Sequence, residues 1–155
     1  MDKIRSFTDL KVWQEGHKLV ISVYKITGSF PREEIYSLVD QMRRSSSSIT
    51  ANIAEGFGRQ GYKEKIRFYY LAQGSLTELK DQILIAKDVG YFTSNDLELL
   101  VENANQVHRL LQGLITKSKI FLNLKDVIFL STQQPPFFIR NPRGSRLFGG
   151  RLACV

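Results

Sequence analysis

Through residue 119 the apolar positions recur at alternating steps of three and four, the spacing that lines one face of an α-helix. One series, Val12, Gly16, Leu19, Val23 and Ile26, runs beside a second, Leu10, Trp13, His17, Val20 and Tyr24. Together they predict a first helix with two contacting faces, starting at Thr8 or Asp9 and ending near Thr27, with Gly28 placed to take the left-handed conformation of a helix end. Pro31-Arg32-Glu33-Glu34 reads as the first turn of a second helix, with proline early and carboxylates at the positive end of the dipole. Its seam is Ile35, Leu38, Val39, Met42, Ser46, Ile49 and Ile53, and Gly56-Phe57-Gly58 ends it. A third helix follows Gly61 and stops at Gly90, with Tyr69, Ala72, Leu76, Leu79, Ile83 and Ala86 in one row and Phe68, Leu71 and Ser75 beside it. Ser94 or Asn95 is placed to cap a fourth, whose row is Leu97, Leu100, Ala104, Val107, Leu111 and Leu114, with Val101, His108 and Ile115 as a second.

No window before residue 120 alternates with the period of two that marks a half-buried strand, and the connections are short. The prediction is an all-α, antiparallel, up-down-up-down four-helix bundle over residues 1–119. A bundle buries one stripe per helix, so the second rows on the first and fourth helices call for another subunit. Residues 120–155 differ in kind. They hold Pro135, Pro136 and Pro142 and five basic residues against one acidic, and form a basic Pro/Gly-containing tail outside the bundle, disordered or loosely packed. Ile120 to Leu124 can prolong the fourth helix by a turn or two.

Charge and composition narrow the functional classes. The net charge is +7, of which residues 1–119 supply +3 and the tail +4. That excess invites a nucleic-acid partner. The lone Cys154 forms no internal disulfide, and there is no CxxC. No apolar leader opens the chain, and no uncharged run approaches the ~18 residues of a membrane span. The expectation is a cytoplasmic protein with no membrane contact, no metal and no cofactor.

The densest information lies in Arg43-Arg44-Ser45-Ser46-Ser47-Ser48-Ile49, in Asn52-Ile53-Ala54-Glu55-Gly56 and in Gly74-Ser75-Leu76-Thr77-Glu78-Leu79. With Phe7-x-Asp9-Leu10-x-Val12-Trp13 ahead of them, these motifs closely resemble the large-subunit (23S) ribosomal RNA intervening-sequence family of four-helix-bundle proteins. The resemblance covers residues 4–119 and leaves out the tail. It implies a homo-oligomer, commonly a pentameric ring, and a relation to the accessory variability proteins of diversity-generating retroelements, which bind a reverse transcriptase and carry basic nucleic-acid-binding surfaces. It implies no activity for the intervening-sequence members themselves.

Read as chemistry, Ser45, Ser48, Asn52 and Gly56 make a row of short side chains that lets a neighbouring helix approach, and Gly74 and Ser75 notch the third helix. Asn52 and Glu55, three apart, share a face. If buried, they need partners, because an unpaired buried carboxylate costs several kcal/mol in order of magnitude. Arg43, Arg44 and Arg67 are the candidates, and with Ser48 and Glu78 they complete an expected polar clamp fixing helix register. A ligand or nucleic-acid site is the alternative.

Catalytic readings find little support. The serines 45–48 lack a recognisable base, so no catalytic residue is assigned. His17 and His108, without the Glu-x-x-His repeat of di-iron bundles, are a weak metal signal. Gly56-Phe57-Gly58-Arg59-Gln60-Gly61 follows a helix where a phosphate-cradling loop would follow a strand. A nucleic-acid surface is the better candidate. Lys11, Lys18 and Lys25 recur every seven residues, and Lys63, Lys65 and Arg67 sit among Phe68, Tyr69 and Tyr70, at least one of which must be core. The functional expectation is a non-enzymatic oligomeric binding or scaffold protein that meets RNA, DNA or a nucleic-acid enzyme. The alternative is a structural module with protein partners alone.

Overall fold

The computed structural model describes residues 4–132, with side chains to Lys125. Four helices, α1 (Lys11–Ile26), α2 (Leu38–Gly58), α3 (Tyr62–Asp88) and α4 (Ser94–Thr132), carry the fold, with no strand among the described residues. Each packs on its neighbours in sequence and α1 also packs on α4, which closes an antiparallel up-down-up-down bundle. The apolar rows are its core. Val12, Leu19, Val23, Met42, Ile49, Ile53, Tyr69, Leu76, Leu79, Ile83, Leu100, Val107 and Leu111 are all buried. No helix among the described residues is long and apolar enough to cross a membrane.

The helix ends differ from the sequence expectation in ways that side-chain chemistry explains. Ser6, ahead of Thr8 and Asp9, caps a short 3-10 turn over Phe7–Asp9, and the Asp9 carboxylate reaches back to the Arg5 and Ser6 N–H groups at 2.9 Å. Those two donors hold the Asp9 carboxyl below its usual range. Helix α1 then starts at Lys11. Gly28 does not turn left-handed, because α1 tightens into a 3-10 turn over Thr27–Ser29; among the described residues the only glycine with positive φ is Gly90, at 81°. Residues Arg32–Glu34 form a separate 3-10 turn, so α2 begins at Leu38 and Ile35 is exposed. Thr93 caps α4, where Ser94 or Asn95 was expected: its hydroxyl oxygen accepts the Asp96 N–H at 3.2 Å.

At the far end of α4 the last buried side chain among the described residues is Ser118, yet the helix runs on to Thr132. At 1.5 Å per residue, Ile120–Thr132 adds about 20 Å of rod, longer than the turn or two expected. Residues 133–155, the rest of the expected tail, lie outside the described residues.

One long-range polar contact ties two loops together. The Glu34 carboxylate accepts from the Ser37 hydroxyl, from the Tyr91 hydroxyl at 3.0 Å and from the Leu38 N–H at 3.3 Å, and these donors, led by Ser37, hold its carboxyl below the usual 4.5. The same contact raises the Tyr91 hydroxyl's pKa. A depressed carboxyl stabilises the fold above its unfolded pKa, and the stabilisation is lost as pH falls through the folded value. Melting temperature is therefore expected to drop on acidification below about pH 4.5. Tyr91→Phe, which removes one donor, should make that drop shallower when wild type and variant are melted across the same pH series.

Candidate nucleic-acid interface

The seam between α2 and α3 is polar where the sequence puts its serines. The Ser45 hydroxyl donates to Gln82 Oε1 at 2.7 Å, and Gln82 Nε2 donates to Glu78 Oε1 at 3.2 Å. One turn along, Ser48 Oγ and Ser75 Oγ lie 2.9 Å apart, and Asn52 Nδ2 donates to both Ser48 Oγ and the Ser48 carbonyl. Two cross-helix hydrogen bonds, one turn apart on α2 and two turns apart on α3, fix the register of the pair. Among the described residues no buried side-chain polar atom lacks a partner.

The charged part of the expected clamp does not assemble. Three residues turn a helix by about 300°, so Glu55 lies some 60° round from Asn52 and points to solvent. There it pairs with Arg59, one turn on, and Arg43, Arg44 and Arg67 play no part. Arg43 turns toward α1 instead, donating to Thr27 Oγ1 at 3.0 Å with its guanidinium over the Tyr24 ring. Arg44 is exposed 3.9 Å from Asp40, and Arg67 is exposed on α3. The clamp is thus a neutral one of Ser45, Gln82, Ser48, Ser75 and Asn52, with Glu78 at its rim. Gln82 was missed because one glutamine in an apolar row carries no signal of its own.

Beside this seam an open groove of about 720 Å³ is lined by Gln41, Arg44, Ser45, Ser47, Ser48, Ala51 and Glu78. Its hydroxyls are engaged: Ser45 with Gln82, Ser48 with Ser75 and Ser47 with the Arg43 carbonyl. Neither histidine belongs to it. His17 stacks on Trp13 at 5.0 Å, and His108 sits 3.5 Å from Gln112. No group of three or more His, Cys, Asp or Glu side chains gathers among the described residues.

The six predicted basic residues separate. Lys11 and Lys18 both close on Glu15, at 2.8 and 3.0 Å, so two members of the seven-residue ridge are tied to one carboxylate, whose pKa they lower. Lys25, the third, is exposed. Lys65 donates to the Phe57 carbonyl at 2.6 Å and the Gly56 carbonyl at 3.4 Å and lies over the Phe57 ring. It satisfies the open end of α2, and partial burial pulls its pKa down. Lys63 and Arg67 stay exposed and share one strip of α3 with Tyr70. The three successive aromatics do diverge. Phe68 is half-buried under Arg59, Tyr69 is core with burial pushing its hydroxyl up to about 12, and Tyr70 is exposed.

Antiparallel packing brings a second basic stretch to this strip. Lys119 Nζ lies 5.2 Å from the centre of the Tyr70 ring, and Lys125 Nζ lies 5.7 Å from that of Tyr62, which stacks on Phe121 at 5.3 Å. From Asn103 to Lys125, α4 carries Arg109, Lys117, Lys119 and Lys125 and no acidic residue; Asp126 is the next. The consequence is a bundle polarised along its axis. Cut at the level where Gly16 meets Thr50, Ser48 meets Ser75 and α3 meets α4, the end formed by residues 4–18, 48–76 and 110–125 carries 10 Lys and Arg against 4 Asp and Glu, a net +6. The other end, residues 19–47 and 77–109, carries 7 against 9, a net −2.

Exposed apolar side chains are distributed differently from the expected rows. On α1, Trp13 is covered by Phe7 and His17, leaving Ile21 and Tyr24 outside. Helix α3, to which the sequence assigned no surplus row, exposes Leu71, Leu84 and Ile85, with Val89 just past its end, and α4 exposes Leu99 and Val101.

No curated protein matches the chain. A solved structure from Bacteroides thetaiotaomicron, a protein of unknown function from the S23 ribosomal protein family, matches with a TM-score of 0.63 at 20% identity, over 68% of this chain and 95% of that one. That likeness extends to the fold. The sequence signature of the 23S rRNA-intervening sequence protein family matches residues 8–113, which takes in all three motif segments and the whole bundle seam. With that match across most of its length, the chain belongs to the 23S rRNA-intervening sequence protein family.

Proposed function

We propose that this protein is a non-enzymatic, homo-oligomeric binding or scaffold protein of the cytoplasm that meets nucleic acid through its basic end. The observation that carries this reading is the charge polarity of the bundle, +6 at one end against −2 at the other. An acid-free stretch of α4 beside Lys63 and Arg67 concentrates positive potential where a polyanion can reach it. The same surface suits a nucleic-acid enzyme only through the nucleic acid it carries. Pentameric assembly, by resemblance, would bring five such ends onto one particle.

Binding of the full chain to ribosomal RNA fragments across a salt series tests the reading. Phosphate contacts release counterions, so affinity is expected to fall steeply and log-linearly with salt. Lys63→Ala should lower the slope by about 0.7 to 0.9, the share of one phosphate contact, with melting unchanged. Lys65→Ala should do the reverse, lowering stability by about 1 kcal/mol through the lost α2 cap and leaving the slope alone. No detectable affinity at low salt would overturn the reading in favour of a module with protein partners only. The exposed Leu84, Ile85 and Val89, at the acidic end where nucleic acid has no reason to sit, are the observation favouring that second reading. Light scattering tests the assembly, with a pentamer of 17.8 kDa chains expected at about 89 kDa.

A further inference from the structure

Resting on the nucleic-acid reading above, we propose that the α3/α4 basic end is a site for single-stranded nucleic acid, in which unpaired bases stack on Tyr70 and on the Tyr62–Phe121 pair while Lys119 and Lys125 take the flanking phosphates. Tyr70 is 45% exposed and Phe121 40% exposed, so both leave ring surface open to solvent. In the free protein the covers are lysines, with Lys119 over Tyr70 and Lys125 over Tyr62. Tyr62 and Tyr70 are eight residues apart on α3, about 12 Å along the helix. Lys63 and Arg67 lie between them in sequence, both on the Tyr70 strip.

Magnitudes decide which cover wins. A lysine over an exposed ring is worth roughly 2- to 5-fold. A stacked base is worth roughly 5- to 150-fold. A base therefore displaces the ammonium from the ring face, and the displaced ammonium is left within reach of the phosphate attached to that base. The positive charge is kept and only changes its partner. A duplex cannot make this exchange, because its bases already stack on one another and offer side chains only edges and backbone. An acidic peptide could pair with the lysines and would leave the rings uncovered. Stacking and charge alone read no base edge, so the site tolerates sequence.

The test is fluorescence anisotropy of the full chain with a labelled, mixed-sequence single-stranded RNA of about 12 nucleotides and with a duplex of the same length. The single strand is expected to bind more tightly than the duplex. Tyr70→Leu should weaken single-strand binding about 10-fold with duplex binding and melting temperature unchanged. Tyr70→Phe, which keeps the ring, should restore it, and Lys119→Gln should lower the salt slope by about 0.7. Equal affinity for the two probes, or a Tyr70→Leu variant that binds the single strand as wild type does, overturns the stacking site and leaves the nucleic-acid reading standing. Failure of both probes to bind at low salt overturns both together.

Discussion

Gly56→Ala is expected to destabilise the fold, although alanine is the better helix former. A Cβ at position 56 would stand 2.6 and 2.9 Å from two carbons of the Tyr69 ring and 3.1 Å from Phe68 Cβ. The Tyr69 ring is buried in the core and its near edge is the edge struck, so no flexible tip can swing aside. Exchanging glycine for alanine in a helix gains up to about 1 kcal/mol. Overpacking of this kind costs about 1–3 kcal/mol, and it must push α2 and α3 apart beside their hydrogen-bonded seam. The net loss should appear as a lower urea midpoint with an unchanged slope. A variant as stable as wild type would show that the contact between Gly56 and Tyr69 is looser than described.

Two neighbouring positions on α3 should respond in opposite directions. Leu76 is 1% exposed and lies in the buried row of α3, so Leu76→Ala removes buried carbon and leaves a cavity, at a cost of about 2–5 kcal/mol. Gly74, two residues before it, is exposed, with nothing within 4 Å of where its Cβ would stand. Gly74→Ala should therefore stabilise the isolated chain by about 0.5–1 kcal/mol. Thermal melts of both variants at a concentration where the chain is monomeric check the pair. A destabilising Gly74→Ala would mean that the notch is already filled by another helix.

The bundle and its core rows could be read from the sequence because a buried helical stripe imposes its period on every turn. The termini could not be read to the residue. Thr93, Ser94 and Asn95 can each accept a backbone N–H, and only the path of the chain into α4 selects Thr93. The clamp failed in its charged half for the same reason of rotation: Asn52 is within reach of Ser48, and Glu55 has turned past the seam. Lys65 looked like a surface cation because nothing in the sequence reveals that the carbonyls of Gly56 and Phe57 point at it. The basic end went unseen because Tyr62 and Phe121 lie 59 residues apart and Tyr70 and Lys119 lie 49 apart, and they meet only through the antiparallel pairing of α3 with α4. That pairing was itself predicted, so counting outward from the Gly90 turn was the signal available.

The uneven charge along the bundle also bears on how copies can assemble. In a closed ring whose protomers are related by rotation and stand along the ring axis, every bundle points the same way, so all basic ends share one rim. For five copies that rim would gather +30. Such a rim repels itself, and dissolved salt, with a screening length near 8 Å at physiological strength, relieves the repulsion. Ring closure and phosphate binding would then answer salt in opposite senses, with one favoured by the ions that weaken the other. A bound polyanion would do for the rim what salt does, and would hold the ring together while occupying it.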